Sequence, residues 1–368
     1  MKPPAGPWVA PGFEKVGETF DRLVAQGAGM AFAATVDGTP AVDLWGGNTG
    51  GGAPWHADTP VLMFSGTKGV VAAAMLMLID RCLVALDQPL VELWPEFGEE
   101  GKEQVSISHV LSHTAGLPGL LTPPPDPLDQ LAVASALAGQ RFLTPLGSPS
   151  YHAFTFGSLC DQVMRRVDGR STGQFVAEEI RGPLGLDLWI GTPPPVAANT
   201  VVPFRRSDFR LAAELAAAPD PRLDFVYGPY RDLDWRASLH REIPAANGAA
   251  TARSMARFYG CLARGGEIDR VRLLSPSVTY LAHRQLAQGP DVLSGRLLRF
   301  SAGFELAGTP SVLGPLPDAF GFTGSGGSSH GAWPSLRVGF SLMVIEMRPE
   351  TDDDRASRLL EALAGCLR

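Results

Sequence analysis

A chain of 368 residues, 45% of them hydrophobic, is long enough to bury a sizeable core as one large domain or two closely packed ones. Its formal net charge of −7, with acidic and basic residues interspersed, leaves no basic stripe for a phosphate backbone and argues against a nucleic-acid partner. The longest apolar run, Val70 to Ile79, is far too short to span a bilayer, and Met1 to Pro7 lacks an apolar signal core, so the expected address is the cytoplasm and no membrane partner is expected.

In chain order, Glu14 to Ala25 has the spacing of an amphipathic helix. Two apolar runs, Met30 to Val36 and Ala41 to Trp45, flank Asp37-Gly38 and read as a hairpin. Helices are expected over Gly69 to Arg81, Ser106 to Ser112, Phe156 to Val167, Thr172 to Arg181 and Ala252 to Arg264. Thr122 to Pro127 and Gly191 to Pro195 are proline-rich and read as rigid, extended loops. Leu336 to Met347 is a partly alternating apolar stretch, and Asp352 to Leu367 reads as a helix with an acidic first turn.

The two ends are therefore alike in kind, and no internal repeat interrupts the middle. The economical arrangement is an α+β unit with a sheet subdomain made from 1–75 and 245–368, and a mostly helical subdomain, 76–244, inserted between them. A cleft between the two is the natural place for a site. Cys82, Cys160, Cys261 and Cys366 are scattered, and His113, His152, His240 and His330 are isolated, so neither a metal nor another cofactor is implied.

The segment Phe64-Ser65-Gly66-Thr67-Lys68-Gly69-Val70 carries the strongest chemical signal. Residues three apart share a helix face, and a neutral lysine beside a serine can take the hydroxyl proton and make it a nucleophile. The chain uses arginine for nearly all its positive charge, with lysine only at Lys2, Lys15, Lys68 and Lys102. Arginine cannot lose its proton in a protein, whereas a desolvated lysine can, so the chemistry would require lysine at this place. The structural alternative makes Ser65 a cap and Lys68 a first-turn decoration. Two Gly-x-Ser-x-Gly matches, around Ser171 and Ser329, compete for the nucleophile. Ser329 lacks an acid and histidine in the required order, and Ser171 follows a helix instead of a strand.

Further landmarks follow in order: Val110 to Pro118 around Ser112-His113-Thr114-Ala115-Gly116, Tyr151-His152-Ala153, Asn247 to Tyr259, and Phe320 to Ser328. Together with Phe64 to Val70 they resemble the serine β-lactamase and penicillin-recognising superfamily, on the branch of its class C-like esterases and transacylases. The resemblance covers most of the chain. It implies an antiparallel sheet flanked by helices plus a helical domain. It also implies that Ser65 is the acylated nucleophile, Lys68 its general base and Tyr151 the proton relay, with the Lys68 cation and a Tyr151 phenolate favouring one another. The backbone N–H groups of Ser65 and Ser325 would form the oxyanion hole. His113 belongs to a structural landmark.

Departures from the β-lactamase pattern bear on substrate. Ala153 stands where an asparagine is usual, and Phe322-Thr323-Gly324 stands where Lys-Thr-Gly is usual, so a charge that would hold a penicillin carboxylate is missing. The expected activity is that of a serine carboxylesterase on neutral or apolar esters. The alternative is a transacylase that passes the acyl group to an amine or alcohol. A β-lactamase, a D-amino-acid peptidase and a non-catalytic binding protein rank below both. The expected partner is a small-molecule acyl donor, with His152, Phe322, Thr323, Gly324, Tyr227 and Tyr230 lining its pocket and Trp235 beside them.

Overall fold

Asp37 and Gly38 both adopt positive φ, 47° and 80°, and join β2 (Met30–Val36) to β3 (Thr39–Gly46) as a two-residue hairpin turn. This hairpin is one side of a nine-stranded antiparallel sheet in a computed structural model that describes residues 6–27, 29–210, 220–308, 312–349 and 352–367. Of the proline-rich N-terminal segment, residues 1–5 lie outside the described residues. The remaining strands are β1 (Trp8–Val9), β4 (Ala287–Pro290), β5 (Leu297–Phe300), β6 (Glu305–Leu306), β7 (Phe320–Gly324), β8 (Ser328–Trp333) and β9 (Val338–Val344). Their order across the sheet is β1-β3-β2-β9-β8-β7-β6-β5-β4. Strands from the two ends of the chain meet where β9 pairs with β2, from Val338 against Val36 to Val344 against Met30.

Side-chain alternation gives the sheet two buried faces. On one, Met30, Phe32 and Ala34 pack with Val16, Phe20 and Leu23 of α1 (Glu14–Val24) and with Leu359, Leu360 and Leu363 of the helix Arg355–Gly365. On the other, Ala31 and Ala33 join a core containing α2 (Thr67–Asp80) and the helix Ala252–Ala263. Thr67 through Leu78 are all buried, as expected of a helix that is apolar on every side and lies inside a protein. The helix Ala252–Ala263 lies almost backbone to backbone on the sheet: a Cβ on Gly339 would stand 2.0 Å from the Gly260 nitrogen. Among the described residues, no helix is long and apolar enough to cross a membrane.

Several boundaries move for local reasons. Helix α2 begins at Thr67, after a 3₁₀ turn at Phe64–Gly66. Thr172 to Arg181 is α-helical only to Val176 and then widens to a π-helical turn, Ala177–Arg181. Gly191 to Pro195 is not wholly an extended loop, because Pro194 starts a helical turn, Pro194–Ala197, at a place where its missing N–H costs nothing. Leu336 lies in a 3₁₀ turn and Arg337 takes φ 52°, so the strand begins only at Val338.

Candidate active site

Ser65 stands in the 3₁₀ turn that leads into α2, directly after Phe64, whose φ of 47° is a left-handed conformation costing about 1–3 kcal/mol for a bulky residue. Packing holds this turn in place. The Phe64 ring meets Trp235 edge-on at 5.1 Å, and the Gly66 backbone lies against His330, where a Cβ would come within 2.6 Å of the imidazole. The turn and the first coil of α2 put Ser65 and Lys68 on one face, and the Ser65 Oγ accepts from Lys68 Nζ at 3.2 Å. Tyr151 Oη donates to the same oxygen at 2.9 Å.

Lys68 is fully buried. Its ammonium also donates to the carbonyls of Ala153, at 2.7 Å, and Ala245, at 2.9 Å. Burial lowers its pKa to about 7, with the Glu305 carboxylate the largest influence in the opposite direction. Near neutral pH Lys68 is thus available in both forms, which is what a general base needs. Tyr151 moves the other way. Desolvation pushes its pKa well above the usual phenol value and Glu305 adds to this, so at rest the proton resides on the phenol and Lys68 is the group that changes state.

The position of Tyr151 is fixed from several sides. Its N–H donates to Asp291 Oδ2 at 2.7 Å, and Asp291 also takes the N–H groups of Leu293 and Ser294. Its ring stacks with Phe300 and leans on His113 and Phe322.

Ser325 follows the last residue of β7. Gly324 lets that strand reach the turn that carries Ser65, since a Cβ there would lie 2.2 Å from the Met63 carbonyl oxygen. Neither the Ser65 nor the Ser325 backbone N–H is donated to an acceptor among the described residues. The turn beyond Ser325 is gripped by Arg355, only 1% exposed, which donates to Gly326 O and Glu346 O, each at 2.9 Å, and pairs with Asp353 at 2.6 Å. Replacing Arg355 with methionine should lower stability by about 3–5 kcal/mol, because it leaves the buried Asp353 carboxylate without its cation. Urea denaturation checks this; a change under about 1 kcal/mol would show that the pair is not needed.

Two cavities open from Ser65. The larger, about 470 Å³, is walled by Phe64, Phe154, Tyr227, Tyr230 and Trp235. Phe154 and Tyr230 stack with ring centroids 3.8 Å apart. The smaller, about 90 Å³, is lined by Thr323, Gly324, Tyr227, Asp291, Arg296 and Glu305. Ser65, Tyr151 and Ser325 border both.

Two residues expected to line the pocket do not. His152 is fully buried; its Nε2 accepts from Leu117 N at 3.1 Å, its Nδ1 meets Ser150 O at 2.5 Å, and burial lowers its pKa to about 4. It braces the backbone under Tyr151 instead. Phe322 is also fully buried, because β7 turns it inward beneath Tyr151, with Lys68 Nζ 5.6 Å from its ring. The loss of a cation at Phe322 is not the whole electrostatic picture either, since Arg296 borders the small cavity from the loop before β5. It shares that space with Asp291 and Glu305, so the lining has both signs of charge. Sequence reasoning missed these three polar residues; only the geometry of short strands brings them to β7.

The rival serines have other tasks. Ser329 lies within β8 and donates to Val312 O, while Ser171 caps the helix Thr172–Val176 and donates to Glu242. Adjacent His330 uses its Nδ1 with Ser341 Oγ. Among the described residues, no group of three or more histidine, cysteine, aspartate or glutamate side chains is placed to hold a metal ion.

The model of the Beta-lactamase family matches residues 16–364. The chain belongs to that family. Esterase/beta-lactamase LipL of Mycobacterium tuberculosis (strain ATCC 25618 / H37Rv) is 36% identical over 330 residues, spanning 86% of this chain and 76% of the relative. Among solved structures, a penicillin-binding protein homolog from Caulobacter crescentus superposes with a TM-score of 0.89 at 33% identity, covering 98% of this chain and 99% of its own. A family VIII carboxylesterase gives a TM-score of 0.87 at 32% identity, covering 97% and 98%. This Beta-lactamase family member is an enzyme of the serine hydrolase kind.

Proposed function

We propose that the enzyme is a carboxylesterase that acts on neutral or apolar esters through an acyl-Ser65 intermediate. The observation that carries this reading is the placement of one hydroxyl, Ser65 Oγ, between Lys68 Nζ and Tyr151 Oη, with Lys68 buried enough to be neutral near pH 7. Neutral Lys68 takes the Ser65 proton as Oγ attacks the ester carbonyl carbon. The carbonyl oxygen becomes negative and is met by the N–H groups of Ser65 and Ser325. As the C–O bond to the alcohol breaks, Tyr151 protonates the leaving oxygen and is reprotonated by the Lys68 ammonium. Water then attacks the acyl carbon and gives a proton to the same pair, which passes it to Ser65 Oγ as the acyl C–O bond breaks, releasing the carboxylic acid and regenerating free Ser65. The aromatic wall of the larger cavity suits an apolar acyl or alkyl group, and the mixed charges of the smaller one suit a substrate without net charge there.

Mass spectrometry of tryptic peptides after brief incubation with a p-nitrophenyl ester should locate the acyl group on Ser65. An adduct on another residue, or none under single-turnover conditions, would overturn the mechanism. Including a panel of amines and alcohols measures how the acyl group partitions. Predominant free acid supports the esterase, whereas predominant amide or new ester replaces it with a transacylase. The pH dependence is a separate expectation. Because Lys68 must be neutral to accept the proton, kcat/KM should rise with pH through about 7 and level off above it. A flat profile between pH 6 and 8 would count against Lys68 as the base.

A further inference from the structure

β6 is only two residues long and pairs with β7 at Gly321 and Phe320 alone, so the half of β7 nearest the nucleophile has no main-chain partner from β6. A side chain takes that place. Glu305 Oε2 accepts from Thr323 N at 3.0 Å and from Thr323 Oγ1 at 2.9 Å, two residues before Ser325. The same residue borders the small cavity together with Ser65, Tyr151 and Ser325. It is therefore both a structural substitute for a strand and a negative charge at the edge of the chemistry.

We propose that Glu305 is a positioning residue for acyl transfer: its carboxylate stands in for the missing strand partner of Thr323, holds the turn that carries Ser325, and sets a negative charge against the Ser65, Lys68 and Tyr151 cluster. This rests on the acyl-Ser65 reading above. The charge has a direction of action, since Glu305 raises the pKa of Lys68 and also that of Tyr151, opposing the effect of burial on the lysine. Other groups around the cluster are Arg296 and Asp291 from the loop before β5, Tyr227 from the helix Leu223–Tyr227, and Cys160 from the helix Thr155–Val167. His113 and His152 also face it, both with pKa values lowered by burial and so neutral. Arg296 is the cation that borders the same small cavity as Glu305.

Two variants separate the two parts of the role. Glu305→Gln keeps an oxygen for Thr323 and removes the charge, so the acid limb of the kcat/KM profile should move to lower pH. Glu305→Ala removes the acceptor as well, and should lower kcat a further tenfold or more relative to Glu305→Gln, with KM little changed, because the oxyanion donor matters most in the transition state. The chain has four lysines, Lys2, Lys15, Lys68 and Lys102, so side-chain NMR of ¹³C-lysine-labelled protein can follow Lys68 directly. Its titration should shift down in Glu305→Gln whether or not an ester is turned over. An unshifted Lys68 titration in a folded Glu305→Gln protein overturns the electrostatic half, and equal kcat in the two variants overturns the strand-end half. Failure of the acyl-Ser65 reading is distinct, because it would show in the wild type as the absence of an adduct on Ser65.

Discussion

Ser65→Ala should be inert toward activated esters: turnover falls by about 10⁴- to 10⁶-fold, and a fluorophosphonate probe that labels the wild type leaves the variant unlabelled. The size of the effect follows from what remains. Substrate binding and the Ser65 and Ser325 N–H groups survive the substitution, so a small advantage over water persists, but there is no oxygen to carry the acyl group. Ser65 Oγ is where the Lys68 and Tyr151 hydrogen bonds converge, and the serines of the rival motifs hold a strand and a helix end instead. The fold should be little affected, since Lys68 keeps the Ala153 and Ala245 carbonyls. Retention of full activity or full labelling by Ser65→Ala would sink the mechanism.

Lys68→Met should separate activity from stability. Loss of the base lowers kcat/KM by about 10²- to 10⁴-fold, and Lys68→Arg should fare no better, because a guanidinium holds its proton at every working pH. Stability behaves differently because a buried lysine is costly. Its pKa is about 7 when folded and 10.5 ordinarily, so between these values the unfolded chain binds a proton that the folded chain does not. Wild-type stability from this group therefore rises with pH across that window. The penalty is full below about pH 7 and gone above 10.5. Methionine carries no such penalty but leaves the Ala153 and Ala245 carbonyls without their donor, at a cost of about 1–3 kcal/mol each. The stability of Lys68→Met relative to wild type should thus be most favourable near pH 6.5 and decline by up to about 5 kcal/mol toward pH 10.5. Urea denaturation at several pH values measures this, and a difference that does not change with pH would show that Lys68 is not desolvated in the native state.

The family and the fold class were legible because their signals are local or ordered along the chain. Asp37-Gly38 between two apolar runs specifies a hairpin by turn chemistry alone. The amphipathic spacing of Glu14 to Ala25 predicts a helix whose apolar face covers the sheet. Ser65 and Lys68 are neighbours by helix geometry, so their hydrogen bond was within reach of the sequence. What sequence could not supply depends on short strands and on burial. β4, β5 and β6 comprise four, four and two residues, with glycine and proline nearby, and give too little alternation to read. Glu305, Arg296 and Asp291 come to the site through those strands and their loops, so they went unseen. His152 is expected in the pocket because it follows Tyr151, and Phe322 because it holds the first position of the motif Phe322-Thr323-Gly324, but Phe322 is turned to the buried face of β7 and His152 spends its ring nitrogens on the backbone.

The pairing of β9 with β2 has a consequence for how such a chain reaches activity during synthesis. The β2–β3 hairpin is made long before β9, the neighbour that covers its long edge in the sheet and that follows it by about 300 residues. Arg355, which secures the turn after Ser325, emerges later still. Ser65 and Lys68 are made well before either and must wait for both. Long-range closure of this kind is slow, so a ribosome-bound chain would expose an unpaired strand edge for much of its translation. A nascent chain halted before Val338 should bind chaperones and show no reaction with fluorophosphonate, and reactivity should appear only once the segment through Arg355 has cleared the exit tunnel.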